Sequence, residues 1–307
     1  MMRGLLLALA LWITPTLAQT PAPTATATAA VTPSPFLWRV DGEHAAHYLL
    51  GSIHLLPAAA HPLPANIDQA YAAAGRLVLE TDPDALASPE VQQQFLGAAH
   101  RDAANVDQQF GAALVQQLRA QAQRSGLPAT VCEAYRAWFC ALTLEIIAFQ
   151  RAGFEAQYGI DQHFHVRGIE DDKDFSFLET TGQHLQLFTG MVPVDGRALL
   201  TQTLAGLHAE SGDAPKKMLA AWAANDTSSI EAQLMELQQR APAVYARLIR
   251  DRNRAWLPQL TEHFSSEVPT LVIVGAAHLV GPDGLVSTLR HEGWSVTPAE
   301  SATAETP

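Results

Sequence analysis

Residues 48–56 read Tyr-Leu-Leu-Gly-Ser-Ile-His-Leu-Leu, an aliphatic run followed directly by a Gly-x-x-His turn. The same pattern returns near the other end of the chain, where residues 272–280 read Val-Ile-Val-Gly-Ala-Ala-His-Leu-Val. In both places a loop, a helix, a Gly and another apolar run come next, so each copy predicts a strand–helix–strand unit. We therefore predict an α/β protein with a mainly parallel central sheet flanked by helices and a helical insertion between the copies. One interpretation of the repeat is a pair of related halves lying side by side.

Local signals predict the other elements. Asp41-Gly42 lies between two apolar runs, a pattern typical of a β-hairpin, and Pro242 is expected to interrupt a long late helix. The hairpin strands are predicted at 36–40 and 47–50, further strands at 76–80, 174–179, 270–274 and 294–297, and helices at 65–74, throughout 88–155, at 182–191, 195–209, 214–224, 228–264 and 284–292.

Each copy of the repeat places a histidine just beyond a strand, at His54 and His278. A Gly at the carboxyl end of a strand lets the backbone turn tightly, and the loops outside these ends are where open α/β sheets bind their ligands. Both histidines are therefore candidate catalytic residues. The alternative is that each imidazole caps its own turn by a hydrogen bond to nearby backbone.

Two glutamates close apolar strands in the same way, Glu80 after residues 77–79 and Glu179 after residues 175–178. A carboxylate in that position loses hydration unless it is paired or bound. If these strands are neighbours, two carboxylates and two imidazoles meet at one edge, where they can bind a divalent metal or perform acid–base chemistry. The alternative places each Glu in solvent just past its strand.

Three further polar residues are candidates for substrate binding. Arg252 and Asn253 lie in a charge-rich helical stretch, where Arg252 is suited to clamp a carboxylate and Asn253 to orient a ligand. The alternative is an exposed, solvated helix face. Asp161 follows Gly159-Ile160 and is suited equally to the site or to the start of its own helix.

The N-terminus predicts export. Residues 1–18 combine one Arg, a short apolar core and small residues before Gln19, as in a secretory signal peptide. Residues 19–35 carry no charge and are predicted to be a disordered linker, followed by one domain at 36–298 and a disordered tail at 299–307. The apolar run is too short for a stable membrane span, so we expect a periplasmic or secreted protein.

Composition excludes some functions. The chain has 19 Lys and Arg against 31 Asp and Glu, for a net charge of −12, and so acidic a chain repels nucleic acid.

Cys132 and Cys140 are free to pair after export, but on one straight helix they would lie about 12 Å apart, so a disulfide and two buried thiols both stay open. His163 and His165 fall on different helix faces, and the remaining histidines are interpreted as surface residues.

The ordered motifs of the chain resemble those of the TraB/GumN proteins, which are related to the Tiki metalloproteases and more distantly to erythromycin esterases. The resemblance covers residues 36–298. It rests on the motifs Tyr48-Leu-Leu-Gly-Ser-Ile-His54, Leu77-Val-Leu-Glu80, Gly159-Ile-Asp161, Leu178-Glu-Thr180, Arg252-Asn253 with Trp256, and Val274-Gly-Ala-Ala-His278-Leu-Val-Gly281. Two positions depart from the family pattern: His184 stands where the family commonly has Gln, and Asn225-Asp226 where it often has Gly-Asp.

The resemblance implies that the two Gly-x-x-His motifs and a Glu form the active site. It assigns His54, His278 and Glu80 as the first catalytic and metal-binding candidates, with manganese or cobalt as the metal. Glu179, Arg252 and Asn253 follow as a second group.

Three functions compete at this stage. The first is a divalent-metal-dependent hydrolase of peptides, in which the metal activates water and a Glu is the general base. The second is a metal-free, esterase-like hydrolase in which a histidine activates water. The third is a non-catalytic periplasmic protein for binding or polysaccharide export. The expected ligand is a peptide or another small molecule.

Overall fold

The structure is a computed structural model that describes residues 36–101, 110–209 and 213–299. The predicted signal peptide and linker lie outside these ranges, as do residues 300–307 of the predicted tail. In the part of the chain that is described, no helix is both long enough and apolar enough to cross a membrane.

A six-stranded sheet forms the centre of the molecule. Its strands are β1 (Leu37–Asp41), β2 (Ala46–Ser52), β3 (Arg76–Leu79), β4 (Asp174–Phe177), β5 (Thr270–Gly275) and β6 (Ser295–Pro298). They lie in the order β4-β3-β5-β2-β1-β6, and β4, β3, β5 and β2 are joined by parallel pairings. Strand β1 is antiparallel to both β2 and β6. The predicted α/β class with a mainly parallel sheet is confirmed.

Helices surround this sheet. Their bounds are α1 (Ala65–Ala73), α2 (Pro83–Ala87), α3 (Pro89–Ala99), α4 (Ala112–Arg124), α5 (Ala137–Arg151), α6 (Ile160–Glu170), α7 (Thr181–Thr189), α8 (Pro193–Ala209), α9 (Ala214–Ala223), α10 (Thr227–Arg240), α11 (Pro242–Tyr245), α12 (Asp251–Phe264) and α13 (Leu285–His291). Helices α2 to α6 lie between β3 and β4 in the chain, and α7 to α12 between β4 and β5. The first five residues of β5 are all buried, which shows that both faces of the sheet are covered there.

Local sequence signals position these elements as expected. Ser88 caps α3 through Val91 N, with Pro89 in its first turn. Pro242 ends the continuous helix after Arg240, and the chain resumes through a π-helical turn at Ala246–Arg250. That turn leads directly into α12, which carries Arg252 and Asn253.

Two expectations about side chains and helices were wrong. Residues 88–155 are not helical throughout, because turns occupy the stretch from Ser125 to Tyr135. Cys132 lies in that stretch and Cys140 in α5; both are buried free thiols. The remaining histidines are also not all on the surface, since His47 and His184 are buried.

Candidate functional site

The sheet brings the carboxyl ends of four parallel strands to one edge. Strands β2 and β5, which carry the two Gly-x-x-His motifs, are direct neighbours, with Ser52 opposite Gly275. Strands β3 and β4, which precede Glu80 and Glu179, continue the same edge. The two copies of the repeat therefore lie side by side within one sheet.

Gly275 lies where the side chains from three of these strands meet. A Cβ atom at this position would lie 3.3 Å from Glu80 Oε1, 3.5 Å from His54 Nε2 and 3.6 Å from His278 Cδ2. The backbone N–H of Gly275 also donates to Glu80 Oε1 over 2.7 Å. The Gly therefore keeps a small space open between the two imidazoles and the carboxylate.

The Arg252 guanidinium lies between the two glutamates. Its Nη2 donates to Glu80 Oε2 and, over 2.6 Å, to Glu179 Oε1. Its Nε donates to Glu179 Oε2, and its Nη1 to His278 Nε2 over 3.0 Å and to the Leu248 carbonyl. These contacts use all five guanidinium protons. Arg252 thus binds the protein's own carboxylates and has no donor left over for a substrate.

This ion network keeps both carboxylates charged. Burial alone would raise the pKa of Glu80, but Arg252, His278 and His54 outweigh it and hold that pKa well below its usual range. Burial also raises the pKa of Glu179, but the hydrogen bonds and charges of His184 and Arg252 outweigh this effect. The pKa of Glu179 is therefore lowered as well. The pKa of Arg252 is raised, because the two carboxylates outweigh the effect of its burial. Two negative charges and one positive charge are therefore buried together.

His278 is held as a neutral ring. Asn253 Nδ2 donates to the carbonyls of His278 and Asp283, so Asn253 Oδ1 is the acceptor for His278 Nδ1–H over 2.6 Å. This leaves Nε2 unprotonated, as its contact with Arg252 requires. Burial and the Arg252 charge lower the pKa of His278 to about 3. Both ring nitrogens are therefore occupied and the ring stays uncharged at neutral pH.

His54 has the opposite surroundings. Its Nδ1 lies 2.9 Å from Asp161 Oδ1, which also accepts from Ser52 Oγ over 2.7 Å. Burial lowers the pKa of His54, but the charges of Asp161 and Glu80 outweigh it and raise the pKa to about 8. Its Nε2 faces the space at Gly275 and has no hydrogen-bond partner among residues 36–101, 110–209 and 213–299. His54 is thus the imidazole with a nitrogen left for chemistry.

Sequence reasoning did not place His184 in the site, yet its Nδ1–H donates to the ionised Glu179 Oε1 over 2.6 Å. The available signal was the capping box of Thr180 and Gln183, which begins α7 and places His184 in its first turns, close to the end of β4. Donor atoms of Glu80, Glu179 and His184 lie within 4.8 Å of one another and could hold a metal ion. This donor set shares Glu80 with the predicted metal ligands His54, His278 and Glu80.

The donor set does not accept an ion as it stands. Arg252 Nη2 contacts both carboxylates, so a cation bound there would lie against the guanidinium. A metal ion and Arg252 in its present position therefore exclude each other by charge repulsion.

The structure brings all seven predicted site residues to this edge of the sheet. His54 and Asp161 form one pair, while the other five form the buried network around the guanidinium: Glu80, Glu179, Arg252, Asn253 and His278. Neither histidine caps its own turn, since each bonds side chains from other elements. Both glutamates are buried and so are Arg252 and Asn253.

Comparisons with known proteins identify sequences related to this chain. A family model described as the TraB/PrgY/gumN family matches residues 36–298. The uncharacterized protein YbaP of Escherichia coli (strain K12) is 25% identical over 243 residues, which is 79% of this chain and 87% of the relative. YbaP of Shigella flexneri is 24% identical over 251 residues, 82% of this chain and 90% of that protein. No solved structure matches.

Proposed function

This chain belongs to the TraB/PrgY/gumN family, and from that premise and the geometry of the site we propose that it is a hydrolase in which His54 activates water. The observation that carries the proposal is the unequal state of the two motif histidines. Both nitrogens of His278 are occupied, whereas His54 has a free Nε2 beside the space at Gly275 and a carboxylate on Nδ1.

The proposed reaction uses His54 as a general base. In its neutral form, Nε2 takes a proton from water while the hydroxyl oxygen attacks the carbonyl carbon of an ester or amide. The imidazolium that forms is stabilised by Asp161, which holds Nδ1–H. When the bond to the leaving oxygen or nitrogen breaks, His54 returns the proton to that atom, so one water is consumed for each acid and alcohol or amine released.

The buried network has a positioning part in this proposal. Arg252 holds Glu80 ionised beside Gly275, and the Glu80 charge contributes to the raised pKa of His54.

Esters are the substrates we expect first, because alkoxide leaving groups need less assistance than amines and this site supplies one proton carrier.

The test is a hydrolysis assay on mature protein with chromogenic esters and fluorogenic peptides, each with a chelator and with added Mn²⁺. We expect ester turnover that survives chelation and falls about 10²- to 10⁴-fold in His54→Asn. His163→Asn is the matched control, since His163 is a half-buried histidine of α6 whose ring makes no hydrogen bond to any residue in the described ranges. Full ester turnover by folded His54→Asn would contradict the proposal.

A metal-dependent peptidase is the second candidate, and the observation that favours it is the donor set of Glu80, Glu179 and His184. A divalent ion there would polarise a carbonyl and lower the pKa of a bound water, after Arg252 had withdrawn. Peptide cleavage that is abolished by chelation, restored by Mn²⁺ and lost in His184→Asn would support this candidate and count against the first. Failure to turn over any substrate under both conditions would count against both and favour a binding protein.

We also propose that the protein acts in the periplasm or outside the cell. The support is the form of residues 1–18, with its single Arg, apolar core and small residues. N-terminal sequencing of protein purified from a periplasmic fraction should begin at Gln19. Recovery of the chain from the cytoplasm with Met1 in place would contradict export.

A further inference from the structure

A second polar cluster lies beyond the site, and we propose that it binds a divalent transition-metal ion such as Zn²⁺. Asp82 and Asp84 follow β3 and belong to the start of α2, while His165 lies on α6. One donor atom from each residue lies within 4.8 Å of the other two. One imidazole and two carboxylates are ligands that Zn²⁺ commonly accepts. The inference is independent of the hydrolytic proposal.

His165 is the observation that points to a ligand. The residue is 4% exposed, and neither Nδ1 nor Nε2 has a hydrogen-bond partner in the described ranges of the chain. Its ring lies edge-on to Phe175, with centroids 5.2 Å apart. A buried imidazole without partners is costly, and a metal–nitrogen bond would satisfy Nε2.

The spacing of the donor atoms suits a shared ion. His165 Nε2 lies 3.3 Å from Asp84 Oδ2, without the geometry of a hydrogen bond. Zn²⁺ binds imidazole nitrogen at about 2.0–2.1 Å and carboxylate oxygen at about 2.0–2.2 Å, so two ligands of a tetrahedral ion lie about 3.4 Å apart. The pair is therefore already separated as two ligands of one ion would be.

Asp82 is held in place by its own backbone. Its Oδ1 accepts from the N–H groups of Asp84 and Ala85, over 2.9 and 3.2 Å, and Oδ2 accepts no hydrogen bond from a residue that the structure describes. Fixed ligands of this kind raise metal affinity, because less freedom is lost on binding.

Charge distinguishes this cluster from the one around Glu80 and Glu179. In that network the guanidinium of Arg252 already neutralises the carboxylates. Across the described residues, neither Asp82 nor Asp84 is paired with a Lys or Arg. The Asp84 side chain is 74% exposed, which gives an ion a path from solvent and room for water as a further ligand.

An ion here would join two segments that reach the proposed site from different directions. Asp82 follows Glu80 by two residues, and His165 lies one turn after Asp161 on α6. The ion would tie the loop after Glu80 to the helix that carries the partner of His54. Binding to the folded state alone would also raise the thermal midpoint of unfolding.

The test is calorimetric titration of the metal-stripped mature chain with Zn²⁺, together with Co²⁺ absorption spectra as a readout of coordination. We expect one ion per chain, with affinity reduced at least tenfold in His165→Asn and in Asp84→Asn. Because Asp84 is exposed, its variant is expected to fold even if His165→Asn does not. His163→Asn, on the same helix, and His184→Asn, in the other donor set, are expected to bind as the wild type does.

Three outcomes would overturn the proposal. The first is the absence of Zn²⁺ binding at micromolar concentrations, and the second is an unchanged Zn²⁺ affinity in folded Asp84→Asn. The third is that His184→Asn loses the bound ion while His165→Asn keeps it. None of these readouts depends on hydrolytic activity, so the proposed function can fail or succeed separately.

Discussion

The two Gly-x-x-His motifs carry the same residue on neighbouring parallel strands, and yet their imidazoles differ in charge. The pKa of His54 is raised to about 8, mainly because Asp161 and Glu80 outweigh burial. The pKa of His278 is lowered to about 3 by burial and the charge of Arg252. The motif determines where each ring lies, whereas side chains from other elements determine whether it is protonated.

The difference extends to solvent access and to hydrogen bonds. The side chain of His54 is 17% exposed and that of His278 is 4% exposed. His54 has a carboxylate at Nδ1 and a free Nε2, whereas His278 has the amide of Asn253 at Nδ1 and a guanidinium at Nε2. A duplicated turn can therefore supply one histidine with an unbonded ring nitrogen and one with both ring nitrogens bonded.

The largest expected effect comes from removing the cation that keeps His278 neutral. Arg252→Met removes the guanidinium that pairs the buried carboxylates of Glu80 and Glu179, so the free energy of unfolding should fall by about 3–5 kcal/mol. The pKa of His278 should rise as well, because the guanidinium is one of the two main causes of its low value. Denaturant unfolding and NMR titration measure the two effects.

Arg254→Met is the matched control, since this Arg lies two residues away on α12 with its side chain 67% exposed. Its effect should stay within about 0.5 kcal/mol. Equal stability of the two variants would show that the glutamates do not depend on Arg252.

The next effect concerns the charge of His54. In the wild type the neutral base accumulates as pH rises through about 8, so hydrolysis should increase across that range and then level off. Asp161→Asn removes the main cause of the raised value and should lower the pKa of His54 by about 1–3 units. The midpoint of the pH–rate profile then moves to lower pH, and the maximal rate falls because the imidazolium is less stabilised.

Asp174→Asn serves as the control, because this side chain is 73% exposed and pairs only loosely with Arg76 over 3.9 Å. It should leave the midpoint unchanged. A midpoint that also stays in place in Asp161→Asn would contradict the pairing of Asp161 with His54.

A smaller effect is expected at the amide that orients His278. Asn253→Ala removes the acceptor of Nδ1–H and the donor to two carbonyls, which should cost about 1–3 kcal/mol of unfolding free energy. Asn253→Asp gives His278 a carboxylate partner like that of His54, so the pKa of His278 should rise. The pKa of His54, followed in the same NMR titration, is the internal control; an unchanged His278 in Asn253→Asp would sink this account.

The smallest effect should come from Gly275→Ala. The added methyl group would lie 3.3 Å from Glu80 Oε1 and 3.5 Å from His54 Nε2, so it would take up the space that the proposed reaction assigns to the substrate. The backbone conformation at Gly275 is open to Ala, with φ at −51°, and stability should change by less than about 1 kcal/mol. We expect a several-fold fall in kcat/KM at nearly constant thermal midpoint.

Gly97→Ala is the comparison for that variant. A Cβ at Gly97 meets nothing within 4 Å, and helix propensity should stabilise it by up to about 1 kcal/mol. Unimpaired turnover by Gly275→Ala would show that the space beside His54 is not used by the substrate.

Much of the fold followed from local patterns. The hairpin at β1 and β2, the break at Pro242 and the two strand–Gly-x-x-His units are read from neighbouring residues, and the structure agrees with them. The meeting of His54, Glu80, Glu179 and His278 also followed, because the carboxyl ends of parallel strands share one edge. Such features depend on backbone periodicity and turn chemistry, which a sequence displays directly.

Other features depended on the tertiary structure. The sequence suggested that Arg252 clamps a substrate carboxylate, whereas the packing of α12 aims its five donors at groups of the protein. The burial of His165 and His184 was missed for the same reason. Side chains far apart in the chain meet only after the elements pack.

By itself, the sequence determined the class of the sheet, the strands that end in polar residues and the edge where those residues gather. The tertiary structure alone decided which imidazole is charged, which carboxylates share the guanidinium and which histidine is left without a partner. The physical reason is that strands and turns follow from contacts within a few residues, whereas a pKa depends on charges and burial contributed by residues such as Asp161, 107 positions from His54.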